Sequence, residues 1–185
     1  MSHRVCPWWL GYLLASPIRK LLQDPAKIVA PHVREGMTVL EPGPGMGFFT
    51  LELARRVGPG GRVIAVDLQE QMLAGLLRRA RRAGLAGRIE ARLASGSSLG
   101  LDDLAGKVDL VLAFAMVHEL PDVGRFFTEL RRTLAPGGTV LVAEPSGHVS
   151  ASDFEETLTA AERAGFRRRP GPAIARSLTA VLAEA

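Results

Sequence analysis

The chain has 185 residues, 47% hydrophobic and 23% charged, a balance that suits one ordinary domain with a sizeable core and excludes the disordered and fibrous classes. Its net charge of +4 comes almost wholly from arginine, and with aromatic residues at only 5% no stacking platform is interleaved with the basic clusters, so nucleic acid is set aside as the leading partner. The single cysteine, Cys6, excludes an internal disulfide, and neither a signal-type leader nor a bilayer-length apolar run is present, so a cytoplasmic protein without a membrane partner is expected.

Residues 1–30 differ in character from the rest. Cys6-Pro7-Trp8-Trp9-Leu10-Gly11-Tyr12-Leu13-Leu14 holds both tryptophans and the one tyrosine, which predicts either a helix pinned to the core or a helical lid, with the Tyr12 hydroxyl as its polar contact. His3 and Cys6 have half a zinc spacing, but no second pair completes four ligands, and no metal site is expected. Asp24-Pro25 reads as the N-cap and first-turn proline of a helix from Ala26 to Val33, which Gly36 stops.

Thr38-Val39-Leu40-Glu41-Pro42-Gly43-Pro44-Gly45-Met46-Gly47-Phe48-Phe49-Thr50 then reads as strand, glycine-dense turn and helix. Glycines at every second position let the main chain lie against a ligand, while the following helix offers free N–H groups. Gly58-Pro59-Gly60-Gly61 turns the chain into a second strand, Arg62 to Asp67, ending in an acid placed where a nucleoside-binding βαβ unit puts its ribose carboxylate. A helix from Gln69 to Ala83 presents Met72, Leu73, Leu76, Leu77 and Ala80 to the sheet, and the arginines from Arg78 to Arg82 fall in its last turns, pointing to water. A third strand, Arg88 to Leu93, leads into the polar loop Ala94-Ser95-Gly96-Ser97-Ser98.

Val108 to Phe114 is nearly continuous in apolar residues, as in a central parallel strand buried on both faces. Its end delivers Phe114 to Glu119 to the rim where ligands of open α/β sheets bind, and His118 is the side chain there most ready to take a proton. Asp122 opens a helix that Pro136-Gly137-Gly138 ends, and a fifth strand finishes at Glu144, which with His148 is expected at the same rim. Ser152 or Asp153 caps a further helix to Ala164. Gly165 to Arg168 and Ser177 to Leu182 read as a closing antiparallel hairpin.

Four stretches in order, Glu41 to Gly47, Asp67, Asp109 to Phe114 and Leu134 to Pro145, resemble the successive motifs of class I S-adenosylmethionine-dependent methyltransferases. The resemblance covers residues 31–185. It implies an α/β fold, a Rossmann-like doubly wound sheet of seven strands, mostly parallel with a C-terminal antiparallel hairpin, and S-adenosylmethionine as cofactor. It also implies that Gly43, Gly45 and Gly47 approach the methionine and ribose, that Glu41 orders the loop, that Asp67 holds the ribose diol and that Leu68 packs on adenine, with Phe114 at the rim. Where the family carries an aspartate on the adenine amino group this chain has Ser95, whose hydroxyl, or the Gly96 backbone, takes the weaker bond. A nicotinamide protein usually has Gly-x-Gly-x-x-Gly, one step longer than this loop. The expectation is methyl transfer to a small, partly apolar acceptor at oxygen, nitrogen or sulfur, with His118, Glu144 and Tyr12 as catalytic candidates. An RNA methyltransferase, a non-catalytic binder of the donor and a nicotinamide oxidoreductase are the alternatives.

Overall fold

The structure, a computed structural model, describes residues 23–95 and 98–185; Tyr12 with the rest of the expected lid through residue 22, and Gly96, lie outside the described residues. The described residues divide into two compact units that meet in sequence at Ser98. In the first, α1 (Pro25–Val29) begins where the Asp24 carboxylate accepts the Ala26 N–H at 3.0 Å. It stops short of Val33 because Pro31 has no N–H to extend the helical ladder.

β1 (Thr38–Pro42), α2 (Thr50–Arg56), β2 (Arg62–Asp67), α3 (Glu70–Arg82) and β3 (Ile89–Leu93) complete this unit. β1 and β2 pair in parallel with Thr38 opposite Arg62, and β2 and β3 pair in parallel with Asp67 opposite Leu93. Val39, Leu40 and Val63 to Val66 are buried, as strands covered on both faces must be. Met72, Leu73, Leu76 and Ala80 form the apolar stripe of α3.

The second unit holds β4 (Val108–Phe114), α4 (Val123–Thr133), β5 (Leu134–Pro145), α5 (Ala151–Arg163), β6 (Phe166–Pro170) and β7 (Ser177–Glu184). β4 and β5 run parallel, β5 and β7 antiparallel, and β6 with β7 makes the expected hairpin. The strand order β3-β2-β1-β4-β5-β7-β6 is that of the Rossmann-like, mostly parallel sheet of seven strands foreseen from sequence. Among the described residues no helix is long and apolar enough to cross a membrane.

Two boundaries differ from the sequence reading. The Pro136-Gly137-Gly138 turn lies inside β5, because Leu134 already pairs with Val108 and the ladder then slips before Leu110 meets Thr139. The cap of α5 is Ser150: its Oγ accepts the Asp153 N–H at 3.2 Å while the Asp153 carboxylate accepts the Ser150 N–H at 3.3 Å, a reciprocal box that neither Ser152 nor Asp153 can make alone. Ser150→Ala is expected to cost about 1 kcal/mol and to lower the midpoint of thermal unfolding by roughly 2–4 °C; a midpoint equal to the parent's would refute the cap assignment.

Candidate active site

Register brings the glycine loop and Asp67 together. Glu41 lies opposite Ala65 and Pro42 opposite Val66, so the two strands end level, and the Gly43 N–H donates to the Val66 carbonyl at 2.9 Å. The half-buried Asp67 accepts the Gln69 N–H at 2.9 Å, which fixes its carboxylate at the head of α3. Two of the loop glycines do different things. At Gly47, with φ of 83°, a Cβ would run into the Leu76 side chain, so this glycine lets α3 pack beneath the loop. At Gly45, with φ of 54°, a Cβ would meet no atom of the described residues within 4 Å, so among them the backbone there is bare.

Glu41 is 3% exposed, and neither its Oε2 nor the Thr50 Oγ1 has a hydrogen-bond partner among the described residues. Burial pushes its carboxyl up to about 7; the nearby Thr50 hydroxyl opposes the rise without reaching an ordinary hydrogen-bond geometry, and the Asp67 charge adds to it. A buried carboxyl oxygen with no partner is costly, and a cationic group at the loop would relieve it. One orphan carboxyl oxygen on β1 and a bare backbone in the loop that follows are compatible with the amino group and amino-acid portion of a sulfonium nucleoside such as S-adenosylmethionine.

Leu68, directly after Asp67, is 48% exposed, and Leu93, opposite Asp67 on β3, is 60% exposed. Both are large apolar side chains left in water at the same strand ends. Leu93 escaped the sequence reading, although its place at the end of a strand paired with β2 was the available signal. Ser95 lies exposed just beyond β3, and Phe114 is half-buried at the end of β4. Arg79 corrects the assignment of its cluster to solvent: half-buried on α3, its Nη1 donates to the Met46 carbonyl within the glycine loop.

In the second unit the catalytic candidates His118 and Glu144 come together. Glu144 is 1% exposed; its Oε1 accepts the N–H groups of Met116 at 3.2 Å and Val117 at 2.9 Å, and its Oε2 is hydrogen-bonded to His118 Nδ1. Both amides can turn toward one oxygen because Ala115 adopts φ of 54°, a left-handed conformation that alanine takes only at a cost. The carboxylate expected at the rim is therefore turned inward. His148 lies exposed in the turn after β5.

An ionised carboxylate only accepts, so Nδ1 is assigned as the protonated nitrogen and Nε2 of neutral His118 carries the lone pair. The bond to Glu144 holds the His118 pKa above its ordinary value; partial burial opposes this, and the charges of Glu144 and Glu119 add to it. The pair is a proton acceptor backed by a fixed, buried anion.

A family model described as a methyltransferase domain matches residues 33–171. The chain is 34% identical over 120 residues to the ubiquinone/menaquinone biosynthesis C-methyltransferase UbiE of Idiomarina loihiensis, covering 65% of this chain and 47% of that protein. It is 32% identical over 129 residues to the nocamycin O-methyltransferase of Saccharothrix syringae, covering 70% and 43%. The chain thus spans about half the length of the curated relatives it matches. A crystal structure of an S-adenosylmethionine-dependent methyltransferase from Aquifex aeolicus superposes with a TM-score of 0.83 at 26% identity, covering 96% of this chain and 97% of that one. With the glycine loop, the strand-end acid and the sheet order already in place, these likenesses settle the family: the chain is a class I S-adenosylmethionine-dependent methyltransferase.

Proposed function

We propose that this enzyme methylates a small, partly apolar acceptor at an oxygen or at a carbon activated by a neighbouring hydroxyl, and that His118 removes the acceptor's proton. The observation that carries this reading is the threefold-bonded Glu144 behind His118 Nδ1. A thiol acceptor, already a few per cent thiolate at neutral pH, has less need of such a base. That similar proteins are named as a C-methyltransferase and an O-methyltransferase supports the same choice, since both atoms are methylated after loss of a proton. A small acceptor also accords with Arg168 being taken up by Glu155 at 2.5 Å and Glu162 at 3.0 Å instead of facing a polyanion. The reading keeps the cytoplasmic setting expected from the lone Cys6.

S-adenosylmethionine, when bound, supplies an electrophilic methyl group on a sulfonium. The protein's part is to bind, align and exclude water. Asp67 accepts the ribose hydroxyls, the backbone at Gly43 and Gly45 lies against the donor, and Glu41 meets its cationic amine. Leu68 and Leu93 cover the adenine, with Ser95 or Gly96 on its amino group. Phe114 contributes apolar surface. Tyr12 keeps its proposed place as the polar contact of a covering segment.

Because His118 titrates above its ordinary value, kcat/KM should climb with pH and reach its plateau only above the usual histidine range. Glu144→Gln removes the anion that favours the imidazolium, so the profile should move to lower pH while the plateau falls. His118→Asn should lower kcat by about 10²–10⁴ with an identified acceptor. Unchanged turnover in His118→Asn would contradict the base assignment.

The raised carboxyl of Glu41 gives donor binding its own pH dependence. Below about 7 the unliganded group is protonated, and a cationic amine must displace that proton. Affinity for S-adenosylhomocysteine should therefore tighten as pH rises from 6 toward 8, by up to about tenfold per unit before levelling. Glu41→Gln should bind more weakly and with a flat profile. A parent protein whose affinity ignores pH in this window would contradict the pairing.

A further inference from the structure

The glycine loop is held from beneath by one face of α3. Gly75 is buried, and a Cβ there would come within 2.9 Å of Met46 Cγ, so its bare backbone is the seat for the Met46 side chain. One residue on, Leu76 occupies the place that a side chain at Gly47 would take. One turn after Gly75 on the same face, Arg79 reaches the same residue and donates to the Met46 carbonyl. The loop's ends are fixed by backbone bonds, Gly43 N–H to the Val66 carbonyl at 2.9 Å and Gly47 N–H to the Pro44 carbonyl at 3.0 Å.

We infer that Arg79 is a positioning residue for the methyl donor: it ties the Met46 carbonyl to α3 and so keeps the loop in the left-handed course that bares the Gly45 backbone. The inference rests on the loop being the donor's seat. A glycine-dense segment has many conformations in reach, and those it gives up on binding weaken affinity. A charge-assisted bond from a half-buried guanidinium makes that selection before the ligand arrives. Burial lowers the Arg79 pKa from its ordinary value, in keeping with a guanidinium turned into the protein. Arg82, three residues on and exposed, carries the same charge without that contact.

The test is calorimetric titration of S-adenosylhomocysteine into the parent protein and into Arg79→Met and Arg82→Met, with hydrogen exchange of the amides from Gly43 to Phe48 in the unliganded proteins. Arg79→Met keeps the apolar stem and loses the donors. It should weaken binding roughly tenfold and speed exchange in the loop, while the α3 amides stay protected and kcat at saturating donor changes little. Arg82→Met should match the parent. Should Arg79→Met fail to fold, Arg79→Lys serves, with weakening by roughly two- to fivefold. Equal affinity and equal loop exchange in the Arg79 variant, or equal weakening in Arg82→Met, would overturn the proposal. A parent protein that binds no S-adenosylhomocysteine would instead remove the donor reading on which it rests.

Discussion

A buried carboxyl group, one of whose oxygens has no hydrogen-bond partner among the described residues, is the constraint on which the proposed donor site turns. Glu41 is placed there by the register of β1 on β2, the same register that sets the glycine loop level with Asp67. Because burial raises its pKa to about 7 from 4.5, the folded state holds this proton more tightly than the unfolded chain does. The associated stabilisation is complete below 4.5 and is lost as pH rises through about 7, so near neutrality the unliganded protein carries an unfavourable charge. A cationic ligand removes that penalty. In the proposed donor site, part of the free energy of binding would thus come from relieving a desolvation cost that the fold itself creates.

Glu144 shows the opposite solution to the same problem. It is as deeply buried as Glu41, yet two backbone N–H groups and His118 satisfy it. The left-handed turn at Ala115 is the local cost of aiming two successive amides at one oxygen. The bond to Glu144 assigns the imidazole one tautomer and puts a buried carboxylate behind it. One acid has an oxygen without a hydrogen-bond partner among the described residues, and the other holds an imidazole in place. This is why the two carry different proposed roles although each stands one residue before the end of its strand.

Much of this was readable in the residues. The glycine loop and Asp67 were legible because turn and strand-end chemistry is local, and β4 because a run apolar apart from Asp109 needs no partner to be recognised. The inward turn of Glu144 was not legible, since it depends on Ala115 adopting a backbone conformation that nothing in alanine announces. Arg79 was hidden for a related reason. Basic residues in a last helical turn usually face water, and only the position of Gly75 one turn earlier shows which face meets the loop. Leu93 needed the pairing of β2 with β3, a relation between distant segments. Ser150 was within reach, because a serine three residues before Asp153 is the ordinary capping box.

Pairing of Glu41 with the donor's amine is best measured by titrating S-adenosylhomocysteine into the purified protein near pH 7 in two buffers of different ionisation enthalpy. It predicts a single site, with observed heats that differ between the buffers by an amount equal to the release of up to about half a proton as Glu41 ionises against the ligand's amine. Absence of binding heat in both buffers, or a heat indifferent to the buffer, would contradict it.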